Sequence, residues 1–240
     1  MTVTPRLNCY LAALASLVLI CGLAACTKTV DGTARYAGTR PSSDQPLVKI
    51  AQLPELLPSA GEVGQVMGGP GFVAALSYRS LESVPDDTVA DPHCIGVVFG
   101  AVEPVYRGSG YQGVYGHRIV NPMSLTTGRV DEGAVAFGSA EEAQAFVSQQ
   151  TAAWRDCAGR PLSLKVADQQ VNWTASPPTV STGVDVVARL QEGARGFGCA
   201  RGLATASNVV ADVVTCGDDG AAAADQAAEI VNMIVDKIPT

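Results

Sequence analysis

The distribution of cysteine constrains this chain more than any other feature. Three of the seven cysteines, Cys9, Cys21 and Cys26, fall within the first 26 residues, and four, Cys94, Cys157, Cys199 and Cys216, are spread over the rest. The early group lies in a recognisable export signal. Arg6 supplies a short positive region, Leu11 to Ile20 is an uncharged apolar run, and Leu23-Ala24-Ala25 places small residues before Cys26. That is the pattern of a secretory signal peptide. The apolar run is shorter than the roughly 20 residues a membrane span needs. A cysteine directly after Leu-Ala-Ala matches the bacterial lipobox, which predicts cleavage before Cys26 and a diacylglycerol thioether on it. Two or three acyl chains, at about 0.8 kcal/mol per buried CH2, anchor stably where one chain does not. Residues 1–25 are therefore read as signal peptide, 26–50 as a lipidated tether and 51–240 as the folded domain. The expected location is the outer face of a cytoplasmic membrane.

Export makes disulfides the natural reading of the other four cysteines. Four cysteines allow three pairings, and the count does not choose between them. A hairpin read about Ser207-Asn208 would bring Cys199 and Cys216 together, which favours that pair and leaves Cys94 for Cys157. Chain-entropy reasoning assigns about 4 kcal/mol to the longer loop and about 3 to the shorter. A zinc site fits poorly, since there is no CxxC pair and no histidine beside the last three cysteines.

Charge narrows the partners. The chain has 16 Lys+Arg against 23 Asp+Glu, a formal charge of −7. The signal contributes one basic residue and no acid, so the exported part is more negative still. Nucleic acid and anionic lipid surfaces need basic patches and are excluded as expected partners. Residues 27–50, with Gly38-Thr39-Arg40-Pro41-Ser42-Ser43, are polar and Gly/Pro-punctuated, too poor in apolar side chains to fold. As a coil, about 20 such residues reach roughly 25 Å.

From near Leu53 the pattern becomes that of a domain. Ser59-Ala60-Gly61-Glu62 is a capping box, predicting a helix through Met67 that stops at Gly68-Gly69-Pro70. Residues 71–93 carry no clear period. Strands are predicted over Tyr111–Val120 and Val130–Phe137. A second box, Ser139 to Glu142, opens a helix with Ala143, Phe146, Val147 and Trp154 on its apolar side and Cys157 at its end. Further strands are expected around Val166–Trp173, over Val184–Gln191, and as a hairpin of Phe197–Ala206 with Val209–Cys216. A last helix runs from Ala221 to Ile238, with Ala227, Ile230, Val231 and Ile234 in a stripe. The order predicts an α+β domain with an antiparallel or mixed central sheet covered by helices.

These elements carry a resemblance. Leu56-Leu57-Pro58, Val66-Met67-Gly68, Tyr106-Arg107-Gly108-Ser109-Gly110-Tyr111, Ala143-Gln144-Ala145-Phe146, Trp154-Arg155-Asp156-Cys157, Gly198-Cys199-Ala200-Arg201 and Asn208-Val209-Val210-Ala211-Asp212-Val213 resemble the PknH-like extracellular sensor domain of mycobacteria. That domain is borne by a membrane serine/threonine kinase and by small lipoproteins. The similarity spans about Leu53 to Ile238. It implies disulfides Cys94–Cys157 and Cys199–Cys216 and a central sheet with a cleft for an unidentified ligand. It supplies no catalytic residues. This sequence shows neither a kinase domain nor a transmembrane helix, so sensing is not expected to pass through a cytoplasmic part of the same chain.

No catalytic constellation emerges from the residues themselves. The two histidines, His93 and His117, are not at metal spacing, and no GxSxG, Walker or dinucleotide motif is present. Gly108-Ser109-Gly110 reads as a turn. Asp86-Asp87 and Asp218-Asp219 read as solvated loops, without calcium-ligand spacing. No enzyme activity, cofactor or metal is expected. Aromatics are only 5% of residues, so the grouping of Tyr106, Arg107, Tyr111 and Tyr115 stands out. Strand alternation would place Tyr111 and Tyr115 on one face. With Trp173 these form the candidate ligand-binding set, core packing being the plainer alternative. The expected function is an anchored sensor-type module binding a small molecule, lipid or cell-wall fragment. The alternative is a structural or protein-interaction lipoprotein of the envelope.

Overall fold

The centre of the fold is a hairpin whose two sides are chemically different. β8 (Gly198–Ala206) and β9 (Val209–Gly217) pair from Ala206↔Val209 at the turn to Gly198↔Gly217 at the open end. Ser207 takes a φ of 48° to close the turn. Alternation sends Ala200, Gly202, Ala204, Val209, Ala211 and Val213 to one face, and Cys199, Arg201, Leu203, Val210, Asp212 and Val214 to the other. The first face is small and the second is bulky and charged.

The computed structural model describes residues 46–123 and 128–239. The predicted signal peptide and the lipid-attachment residue Cys26 lie outside them. The remaining strands are β1 (Val73–Tyr78), β2 (Gly113–Val120), β3 (Gly128–Ala136), β4 (Pro161–Val166), β5 (Gln169–Ala175), β6 (Thr179–Ser181) and β7 (Val184–Gln191). They form a nine-stranded sheet in the order β1-β2-β3-β9-β8-β7-β5-β4, with β6 beside β7. Every pairing between these strands is antiparallel.

Helices cover both faces. α6 (Ala222–Val235) lies on the small face, where a Cβ at Gly202 would stand 3.2 Å from Val231 Cγ2 and 3.3 Å from the Ala227 carbonyl. Small residues on sheet and helix thus set the close approach. α1 (Leu53–Leu56) and α2 (Ala60–Val66) extend that layer; Ser59 and Glu62 form the full capping box there. The bulky face takes α5 (Ala140–Cys157), capped by Ser139, and the short α3 (Ile95–Val98) and α4 (Glu103–Tyr106). Cys94 is bonded to Cys157, tying the turn before α3 to the end of α5, and Cys199 is bonded to Cys216 across the opposed strands.

The structure adds to the sequence reading at three places. The single strand read over Val166–Trp173 is a hairpin, because Ala167 turns at a φ of 51° between β4 and β5. The uncertain stretch 71–93 contains β1, an exposed edge strand that alternation does not reveal. The folded part begins ahead of residue 51: Val48 is buried, and its N–H donates to Asn208 Oδ1 at 2.8 Å. Asn208 Nδ2 donates in turn to the carbonyls of Phe137, at 2.8 Å, and Val48, at 3.2 Å. One amide side chain in the β8–β9 turn therefore clamps the incoming chain to the end of β3. Asn208→Ala strands these buried backbone groups and is expected to cost about 2 kcal/mol. It should also speed exchange of the Val48 amide; an unchanged urea midpoint would refute the clamp.

Candidate functional site

On the bulky face, beyond the area covered by α5, the sheet forms the floor of a cleft of about 900 Å³. The floor comes from one end of each central strand: Arg118, Arg129, Asp131, Val214, Cys216, Cys199 and Arg189. Val98, Phe99 and Val102, from α3 and the loop after it, wall one side. Leu164, Val166, Trp173 and Phe197 wall the other. The register explains the grouping, since Arg129, Cys216, Cys199 and Arg189 are successive cross-strand neighbours.

Most charge in the cleft is internally balanced. Asp131 sits between two guanidiniums, accepting from Arg118 Nε at 2.8 Å and from Arg129 Nε at 2.7 Å. Arg118 also donates to Glu82 at 2.7 Å, and Lys165 pairs with Asp87 at 2.7 Å. Arg189 differs. It is only 4% exposed and has no ion pair among the described residues. Its Nη1 donates to the Val97 carbonyl at 2.7 Å, and its guanidinium lies 5.4 Å from the centre of the Trp173 ring. Arg189 Nε and Trp173 Nε1 are both buried without a hydrogen-bond partner among the described residues. Burial, helped by the charges of Arg129 and Arg201, pushes Arg189 down to about 9, so it remains cationic at neutral pH.

Of the candidate ligand-binding residues read from sequence, Trp173 alone lines this cleft. Tyr106 is fully buried: its hydroxyl donates to Asp212 Oδ2 at 2.8 Å and its ring stacks on Phe146 at 4.3 Å. Tyr111 precedes β2 rather than lying in it, and packs edge-on against Tyr106. Alternation therefore cannot place it beside Tyr115, which sits on the opposite face of the sheet with His117 and Arg79. Arg107 is exposed and bonded to Glu103. The aromatic cluster in sequence is thus split: Tyr106 and Tyr111 meet in the core, while Tyr115 lies on the other face.

Asp212 also anchors the layer beneath the cleft. Arg201 Nε and Nη2 donate to its two oxygens at 2.9 and 2.7 Å, and both side chains are fully buried. Arg201 Nη1 and Trp154 Nε1 both donate to the Gly96 carbonyl, at 2.6 and 2.9 Å. The network welds α3, α4 and α5 to β8 and β9.

His117 does not face open solvent. Its Nδ1 lies 3.0 Å from Oε1 of Glu132, a fully buried carboxyl on the α6 side. Burial raises Glu132 above the usual carboxylate range, with His117 opposing. The native state then keeps a proton that the unfolded chain releases near pH 4.3, so this stabilisation is full below that pH and fades as pH rises toward the native value. Glu132→Gln should flatten the decline and leave the protein more stable than the parent at pH 7. Denaturant midpoints at acidic and neutral pH check this; parallel profiles would exclude it. Among the described residues no group of three or more His, Cys, Asp or Glu is placed to hold a metal.

Comparison with known proteins places this architecture. The family model described as the PknH-like extracellular domain matches residues 48–237. Serine/threonine-protein kinase PknH of Mycobacterium bovis is 34% identical over 210 residues, covering 85% of this chain and 34% of the kinase. The Mycobacterium tuberculosis kinase of the same name is likewise 34% identical, with 32% of its length covered. The chain thus spans about a third of these curated relatives. The crystal structure of the extracellular domain of PknH from M. tuberculosis superposes with a TM-score of 0.76 at 33% identity, covering 81% of this chain and 98% of that one. The match is to the non-catalytic extracellular region, not to the kinase domain. On the matched residues, the sheet and the two disulfides, the chain belongs to the PknH-like extracellular domain family.

Proposed function

We propose that this protein is a lipid-anchored, extracytoplasmic binding module that captures a small ligand in the cleft and carries out no chemistry on it. The observation that carries the reading is the cleft itself. A cavity of about 900 Å³, walled by apolar side chains with a few convergent charged groups, is of the size and make-up of small-molecule sites. Membership of an extracellular sensor-type family supports placement outside the cytoplasm. The Leu23-Ala24-Ala25-Cys26 lipobox supports anchoring through Cys26. A lipid, a cell-wall fragment or another envelope metabolite all fit the proposed class.

Native mass spectrometry tests both parts. Protein purified from its own envelope is compared with protein made in a foreign host. A non-covalent added mass confined to the first sample, and a diacylglycerol mass on the peptide beginning at Cys26, are expected. A bare chain from both sources would argue instead for the protein-interaction reading, and an unmodified N-terminal peptide retaining residues 1–25 would remove the anchor.

A further inference from the structure

We infer that the cleft selects an amphiphile bearing an anionic oxygen group, a phosphate or a carboxylate, which docks on Arg189 and Trp173. The inference rests on the ligand-binding reading of the cleft. A guanidinium buried without a counterion is an unfavourable arrangement unless something else supplies the charge. Arg189 is such a group: 4% exposed, with one hydrogen bond to a neutral carbonyl and none to a carboxylate among the described residues. The nearby carboxylate that does influence it, Asp131, is already engaged by Arg118 and Arg129.

Beside it, Trp173 is 7% exposed and also holds an unused N–H. Two residues that hold unsatisfied donors, one of them cationic, thus line one cleft. Anionic oxygens accept from both kinds of donor, and charge-assisted hydrogen bonds are the stronger class. Much of the remaining lining is apolar. Phe197, with its ring 5.7 Å from Trp173, joins Phe99, Val102, Leu164 and Val214 in offering a surface to hydrocarbon. A free anion would leave that surface wet, and a neutral hydrocarbon would leave Arg189 uncompensated. An anionic amphiphile satisfies both.

The probes are decyl phosphate, decanol and inorganic phosphate, titrated calorimetrically into the purified full chain and into Arg189→Met and Trp173→Phe variants. Arg189→Met removes a charge that lacks a counterion, so it is expected to fold with an undiminished melting temperature. For the parent, decyl phosphate should bind at least about tenfold more tightly than decanol, the gain of one charge-assisted hydrogen-bonded contact. Arg189→Met should bring that ratio near one. Trp173→Phe, which keeps the apolar ring but loses the N–H, should reduce it by about threefold. This second variant decides the matter if the first fails to fold.

A ratio near one in the parent, or an undiminished ratio in both variants, overturns the anion assignment while leaving the cleft as a binding site. Inorganic phosphate bound as tightly as decyl phosphate overturns the amphiphile and indicates a soluble anion. No binding of any probe overturns both this inference and the reading on which it rests.

Discussion

The Asp212→Ala variant is expected to lose about 3–5 kcal/mol of stability, the usual cost of breaking a fully buried ion pair by removing one partner. For a chain of this size that lowers the melting temperature by roughly 10–15 °C. The reason is local. With Asp212 gone, Arg201 keeps its charge inside the layer between sheet and helices, and the Tyr106 hydroxyl loses its acceptor. The surrounding packing leaves little room for water to replace it: a Cβ at Gly100 would already stand 2.9 Å from Asp212 Oδ1. Replacing both partners, Arg201→Met with Asp212→Leu, should recover much of the loss, since two apolar side chains strand no charge. Tyr106→Phe removes only one hydrogen bond and should cost about 1–2 kcal/mol. Calorimetric melting of the three variants beside the parent checks the set. An Asp212→Ala melting point within 2–3 °C of the parent would show that the pair stabilises nothing net.

Loss of the Cys94–Cys157 bond should be nearly as damaging. The bridge closes a separation of 63 residues, for which chain entropy gives about 4 kcal/mol. It also holds the start of α3 against the end of α5. α3 contributes the Gly96 carbonyl, which receives both Arg201 and Trp154, and then leads into Val98 and Phe99 at the cleft wall. The Cys94→Ala/Cys157→Ala protein should therefore unfold at lower urea and expose the Gly96 segment to proteolysis before the sheet opens. The Cys199→Ala/Cys216→Ala protein should lose less, because its separation is 17 residues and β8 and β9 are already paired. Equal urea midpoints for the two double variants would refute this ordering.

These contrasts explain what was readable in the sequence and what was not. The hairpin about Ser207-Asn208, the capped helix ending at Cys157 and the final helix follow from local pattern, so their existence and type could be read directly. The β4–β5 hairpin was missed because Ala167 and Asp168 give no strong turn signal, and Ala167 is neither Gly nor Asn despite its positive φ. The site was harder. Tyr106, Arg107, Tyr111 and Tyr115 are neighbours in sequence, but only Tyr106 and Tyr111 meet in the fold, Arg107 is exposed, Tyr115 lies on the other sheet face, and none of the four lines the cleft. Arg189 is far in sequence from Val98, Phe99 and Val102, and the packing of α3 on the sheet unites them. A signal did exist. Arg189 follows Val187 at strand spacing, a charge in phase with a buried residue, and Arg201 before Leu203 repeats the pattern. In-phase charges on an otherwise apolar strand face were the better pointer than the aromatics.

The Asn208 clamp gives the domain two poles. The described chain enters at the β8–β9 turn, while the cleft floor lies at the Cys199–Cys216 end of the same strands. Nine residues of β8 separate them, about 30 Å at strand rise. Whatever restrains the chain ahead of Val48 thus acts at one pole, and whatever occupies the cleft acts at the other. Loading the cleft need not disturb the Asn208 clamp, and traction applied at Val48 passes into the middle of the sheet rather than peeling an edge. A second protein in contact with the occupied cleft would meet Lys165, Val166 and Asp218, exposed residues of its lining, and would leave the Asn208 turn untouched.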